Sequence, residues 1–237
     1  MKVKILFDKD AKNKSFHIGW GISVLVDEKI LFDTGENGRW LMENIKNLKV
    51  DINKIKAVVI SHDHFDHTGG LWNLLKKKEE LPVYACPNFS LEFKEKVKKL
   101  KGELIEVKNP TEISRGVFVT GEIAGEYKGE YIPEQSLIVR TEKGLTIITG
   151  CSHPGLIKIV DKIKEDFPNE KIYLVFGGFH LMEKDKREVK LVAEKLKEMK
   201  VGRVGPAHCT GYEAELIFKE TYQNDFVTIK AGQTFEI

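Results

Sequence analysis

Residues 57–71 read AVVISHDHFDHTGGL, and no other stretch of the chain constrains the fold so tightly. The apolar run 57–60 has the β-branched composition of a buried strand. It leads directly into His62, His64, Asp66 and His67, so that three His and two Asp fall within the six residues 62–67. Imidazole nitrogen and carboxylate oxygen are the side-chain atoms that bind zinc and similar ions. Alternate residues of an extended chain point the same way. His62 and His64 can therefore hold one ion while Asp66 and His67 turn toward a second. Thr68, Gly69 and Gly70 are expected to bend the backbone sharply and start a helix. The alternative is a polar loop of hydrogen-bonded histidines, which sits poorly with such a density of ligand types at a strand end.

Three later segments have the same build, an apolar run that ends in small residues and then delivers a His. They are LTIITGCSHPGL (145–156) with Cys151 and His153, IYLVFGGFHL (172–181) with His180, and RVGPAHCTG (203–211) with His208 and Cys209. Six of the chain's seven His lie in these four segments. The bland alternative for Cys151 is a small buried residue, the usual state of a free Cys. For His180 it is a structural, hydrogen-bonded imidazole. Cys209, next to His208, is expected to face away from the site, with an approach of its sulfur as the alternative. The seventh, His17, sits in the early loop 11–19, which either covers a site or is plain surface.

Short apolar runs alternate with amphipathic ones almost to the C-terminus. Helices are expected over 39–48, 70–78, 90–100, 156–167, 186–199 and 214–222, the fourth with Leu156, Ile159, Val160, Ile163 and Phe167 on a 3.6-residue period. Strands are expected over 3–7, 22–26, 30–32, 57–60, 83–85, 104–107, 117–120, 137–141, 145–149, 172–176, 204–206 and 226–229. Residues 27–29 read as a tight turn. Residues 124–133, with Gly125, Tyr127, Gly129 and Tyr131, show no period and read as a surface loop open to substrate contact. Strand pairs followed by strand–helix units in each half suggest two sheets with helices on their outer faces, in one domain over 1–237.

Composition removes several classes of function. The 38 basic and 36 acidic residues nearly balance, which argues against a dedicated nucleic-acid binder. The Lys-rich runs 76–78 and 98–101 read as solvated helix faces. Apolar runs fall short of the ~20 residues of a membrane span, Lys4 and Asp8 break up any signal peptide, and three Cys make no disulfide framework. A cytoplasmic protein is expected. The 33 Lys against 5 Arg, 25 Glu and only 3 Gln follow the tendency of heat-adapted proteins and suggest a thermophilic source.

His62-x-His64-x-Asp66-His67 followed by Thr-Gly-Gly resembles the signature of the metallo-β-lactamase superfamily, and ILFDTG (30–35) matches that family's preceding element. The resemblance runs along essentially the whole chain. It implies an α/β fold of αββα sandwich type, with one or two metal ions at the edge shared by the two sheets. Zinc suits the ligands best, and manganese or iron fits the same set. The resemblance further implies that His153 joins His62 and His64, that His208 completes the set of Asp66 and His67, and that Asp33 supports the metal loop. Many members carry Asp after the Thr-Gly of the third segment. Here Cys151 stands instead, either as a thiolate ligand or as a thiol beside the site. His180 matches the place where phosphodiesterases of the family set a His near the scissile phosphate, which implies substrate binding or proton transfer, with a metal role second.

Taken together, SHDHFDHTGG, TGCSHPG, GGFHL and PAHCTG are similar to a branch that includes dihydropterin synthases of the tetrahydromethanopterin pathway. The family mechanism implies a hydrolase with a dinuclear site, attacking a phosphoester or phosphodiester through a metal-bound hydroxide that Asp66 orients. The alternative is a transferase joining a dihydropterin pyrophosphate to a ribofuranosylaminobenzene phosphate. A non-catalytic metal-binding protein is the third reading. In the first two the partner is a small phosphorylated compound.

Overall fold

The computed structural model describes residues 1–237 and divides them into two units, Met1–Lys108 with Lys230–Ile237, and Asn109–Ile229. In the first unit the chain forms β1 (Lys2–Phe7), β2 (Ser23–Val26), β3 (Ile30–Phe32), α1 (Gly38–Asn47), β4 (Ala57–Val59), α2 (Phe65–Thr68), α3 (Leu71–Leu75), β5 (Pro82–Ala85), α4 (Leu91–Lys99) and β6 (Glu103–Glu106). The sheet runs in the order β1-β2-β3-β4-β5-β6, with the C-terminal strand Thr234–Glu236 added outside β1. Asp27 and Glu28, both at positive φ, close the β2–β3 hairpin as the paired left-handed residues of a primed turn do. From β3 onward the strands are parallel, which requires the helical crossovers between them. Leu41 and Ile45 of α1 and Phe93 and Val97 of α4, each pair spaced i, i+4, bury one helix face in the same core as Leu31 and Val58.

The second unit contains β7 (Thr111–Ser114), β8 (Val117–Val119), β9 (Ile123–Tyr127), β10 (Glu130–Glu134), β11 (Leu137–Thr141), β12 (Gly144–Thr149), α5 (Leu156–Asp166), β13 (Ile172–Gly178), α6 (Lys186–Glu198), β14 (Arg203–Ala207) and α7 (Tyr212–Tyr222). Its sheet order is β14-β13-β12-β11-β8-β7, and β9 pairs with β10 as a separate hairpin. β12, β13 and β14 are parallel neighbours, so their carboxyl ends lie side by side. The 3.6-residue stripe expected on α5 is the buried face, joined in the core by Val189, Ala193 and Leu196 of α6. Asp185 and Glu188 close α6 with a reciprocal capping box.

Four expectations need correction. Residues 124–133 are not a loop but most of the β9–β10 hairpin, turned by Lys128 and Gly129 at φ 50° and 82°. Gly125 and Pro133 hide the strand pattern, and Gly125 is required because a Cβ there would lie 2.7 Å from the backbone N of Pro154. Residues 226–229 form no strand; their one β-bridge to the sheet edge joins Phe226 to Val204. The helix expected over 70–78 is confined to α3, while the one-turn helix α2 forms inside the histidine segment itself. Gly69 and Gly70 make no sharp bend, since both have right-handed helical dihedrals. They are small because a Cβ would lie 2.0 Å from Glu36 O at Gly69 and 2.3 Å from Thr34 O at Gly70. No helix is long and apolar enough to cross a membrane.

Candidate metal centre

β3 and β4 are adjacent parallel strands, and their carboxyl ends place Asp33 against Ser61. Asp33 is fully buried and held at φ 52°, a left-handed conformation that a non-glycine residue adopts only under constraint. Its carboxylate accepts from Ser61 N (2.7 Å), Ser61 Oγ (2.7 Å) and His67 Nδ1 (2.6 Å). Thr34 locks the same loops together, donating to His67 O from both N (2.9 Å) and Oγ1 (2.7 Å).

A carboxylate can only accept, so His67 carries a proton on Nδ1 and turns Nε2 outward. Ser61 gives its one proton to Asp33, so its oxygen accepts from His62 Nδ1 at 2.9 Å and leaves His62 Nε2 as a lone pair. That nitrogen lies 3.1 Å from His64 Nδ1, and His67 Nε2 lies 3.4 Å from Asp66 Oδ2. Imidazole nitrogens and a carboxylate oxygen gathered this closely form a donor set that suits a cation. Burial pulls the His67 pKa down, but the Asp33 and Asp66 carboxylates outweigh it and hold the imidazole well above its ordinary value.

The second unit presents its candidate ligands at the carboxyl ends of β12, β13 and β14. Gly177 and Gly178 are small because the strand ends crowd together; a Cβ on Gly178 would lie 2.2 Å from Gly150 O. Ser152, His180 and His208 are all at positive φ (66°, 51° and 46°). Strain of that kind collects where side chains are aimed for function. Cys151 Sγ lies 3.3 Å from His208 Nε2, and the ligand atoms of Cys151, His153 and His180 fall within 4.8 Å of one another. His180 Nδ1 is buried and has no hydrogen-bond partner.

Of the two orientations expected for Cys209, its sulfur takes the one that approaches the candidate ligands. Its thiol is buried, reaches Cys151 O at 3.7 Å and hydrogen-bonds the His180 ring. Burial raises the Cys209 pKa, but the Cys151 thiol and the His208 and His180 imidazoles reverse that and bring it well below its ordinary value. The Cys209 contact in turn raises the His180 pKa against the effect of burial. His17 belongs to the α1 surface, with its ring stacked on Trp40 at 5.9 Å and its Nε2 paired with Glu43.

Three residues around these clusters stand out only in the structure. Ser61 was visible only as the end of a strand, yet it carries the Asp33 charge to His62. Tyr127, assigned to a loop, packs its ring 5.3 Å from both His153 and His180. Glu134, just beyond that stretch, is buried and accepts from the backbone of residues 151–153. Neither Tyr127 nor Glu134 has a sequence signal, because only the hairpin pairing shows which side chains turn inward.

Parallel strands that deliver His, Asp and Cys from their carboxyl ends form the architecture of a metal-binding α/β protein. The family model described as the metallo-beta-lactamase superfamily matches residues 23–208, and the chain belongs to that superfamily. It is 33% identical, over 93% of its length and 91% of the relative's, to the 7,8-dihydropterin-6-methyl-4-(beta-D-ribofuranosyl)-aminobenzene-5'-phosphate synthase of Methanocaldococcus jannaschii. Among solved structures it resembles Tm1679, a metal-dependent hydrolase of the β-lactamase superfamily, with a TM-score of 0.84 and 33% identity over 100% of this chain and 99% of that one. YhfI of Bacillus subtilis, at 15% identity, shares the fold with a TM-score of 0.72 over 99% and 98% of the two chains. The fold and the branch expected from the motifs are therefore those of this chain, and the fold implies divalent metal binding.

Proposed function

We propose that the protein is a dinuclear metal-dependent hydrolase acting on a small phosphoester or phosphodiester. The observation that carries this is the Asp33–Ser61 relay, which fixes the His62 and His67 rings and turns their Nε2 atoms toward two further candidate ligands, His64 and Asp66. His62, His64 and His153 would hold one divalent ion, and Asp66, His67 and His208 a second, as the superfamily resemblance implies. Cys151 supplies a thiolate in place of the family's Asp. A sulfur among nitrogen ligands favours zinc over manganese.

Divalent ions supply Lewis acidity toward a phosphoryl oxygen and make water more acidic. The chain's own residues do the rest. Asp33 and Ser61 fix the ring tautomers, as carboxylates behind metal-binding imidazoles do. Asp66 orients the attacking group. His180, with Nδ1 unpartnered and its pKa raised, contacts the phosphate or protonates the leaving oxygen. Tyr127 keeps the His153 and His180 rings in place.

A second reading is favoured by the 33% identity to the M. jannaschii synthase over nearly its whole length. In that reading the same residues grip a leaving pyrophosphate, and an arylamine phosphate is the nucleophile. Elemental analysis followed by turnover of a chromogenic phosphodiester with zinc or manganese separates the two. Hydrolysis that disappears in His62→Ala supports the hydrolase. Pyrophosphate release that requires both synthase substrates, with no phosphodiester turnover, overturns it in favour of the synthase.

A further inference from the structure

We propose that Glu134 is the positioning residue of the loop that presents Cys151 and His153, gripping that loop through its backbone. The inference rests on reading Cys151 and His153 as metal ligands.

The loop leaves β12 at Thr149 and reaches α5 at Leu156, and it must turn sharply on the way. Ser152 takes φ 66° at the centre of the turn, a conformation that L residues avoid, and only outside contacts can hold it. Glu134 supplies them. Its Oε1 accepts from Cys151 N at 3.0 Å and Ser152 N at 2.7 Å, and its Oε2 accepts from His153 N at 2.8 Å. Three successive N–H groups converging on one anion make a concave backbone nest of the kind that binds anions. Here the anion is built into the chain. On the other side, Ser152 Oγ donates to Gly178 O at 2.7 Å and ties the turn to β13.

Glu134 is itself well placed to act as an anchor. It is 1% exposed, it ends β10, and its backbone pairs with Ile123 across the hairpin. The same hairpin also meets the loop through Gly125, whose absent side chain lets the strand approach His153 and Pro154. His153 is thus held from its backbone by Glu134 and from its ring by Tyr127. A carboxylate that merely satisfied buried N–H groups would need no fixed relation to the ligands. This one takes the N–H of each candidate ligand and of the strained residue between them.

Glu134→Gln keeps the shape but replaces one accepting oxygen with a donor that opposes an N–H. Two measurements test the proposal. Amide hydrogen exchange on ion-free protein should show faster exchange at residues 151–153 in Glu134→Gln than in the wild-type chain. Zinc titration against a chelator should show affinity weakened about 10–100-fold, the usual effect of losing a group that orients metal ligands. Cobalt(II) bound by the variant should also lose its thiolate-to-metal absorption, a signature that general destabilisation does not touch. Glu134→Asp, which keeps the charge one methylene further back, should fall between the two. Wild-type zinc affinity with an unchanged cobalt spectrum in Glu134→Gln overturns the proposal. If that variant does not fold, unchanged affinity in Glu134→Asp overturns it equally. A wild-type chain that takes up no ion overturns the metal reading instead, and the exchange rates still decide whether Glu134 grips the loop.

Discussion

Asp33 Oδ2 lies 2.6 Å from His67 Nδ1, and both side chains are fully shut off from solvent. The carboxylate also takes both donors of Ser61, so one anion organises the strand end before the histidines and the last histidine after it. Asp33→Asn should weaken zinc binding about 10–100-fold, because an amide can present a donor to His67 Nδ1 and reverse the tautomer. Chelator competition on the purified variant reads the change. Binding as tight as in the wild-type chain would show that the tautomer is set elsewhere.

The sulfur at position 151 should govern which metal is retained. Thiolate selects zinc, while carboxylate also suits manganese. Cys151→Asp is therefore expected to raise manganese occupancy relative to zinc when both are offered in equal amounts. Mass spectrometry of the loaded proteins checks this, and an unchanged ratio would place Cys151 outside the ligand set.

Gly69→Ala should destabilise the first unit by about 1–3 kcal/mol, the range for forcing volume into a packed site. The added Cβ would lie 2.0 Å from Glu36 O, a backbone atom that cannot swing away as a flexible side chain can. The shift of the urea midpoint measures the loss. A variant as stable as the parent would mean that the contact between the two loops is looser than the structure has it.

The candidate metal ligands stand out in the sequence because each follows the end of an apolar strand beside small residues, a local pattern. The α5 stripe was legible for the same reason, since its buried positions follow one helical period within eleven residues. Ser61 and Glu134 were not. Ser61 matters through Asp33, 28 residues earlier, and Glu134 through a backbone 17 to 19 residues later. Such partners are chosen by strand pairing, which leaves no mark on the residue itself. The strand expected over 226–229 failed for a related reason. Its composition is that of a strand, but its β-pairing to the sheet is one bridge to β14.

Tyr222 provides a pH test of the second unit's core. Its side chain is 2% exposed, and its hydroxyl has no hydrogen-bond partner. Burial, and secondarily the nearby Asp225 charge, push its pKa upward from the ordinary value. In the unfolded chain the phenol ionises near pH ~10, whereas the folded chain keeps its proton to higher pH. The stability this contributes is complete below about pH 10 and is lost as pH rises from there toward the folded value, by at most about 1.4 kcal/mol per pH unit. Tyr222→Phe removes both the ionisable group and an unsatisfied buried hydroxyl. Near neutral pH its stability should stay within about 1 kcal/mol of the parent. Above pH ~10 the variant should become the more stable of the two. Denaturation curves at neutral and alkaline pH measure the crossing, and parallel pH profiles for the two chains would show that Tyr222 ionises as freely in the fold as outside it.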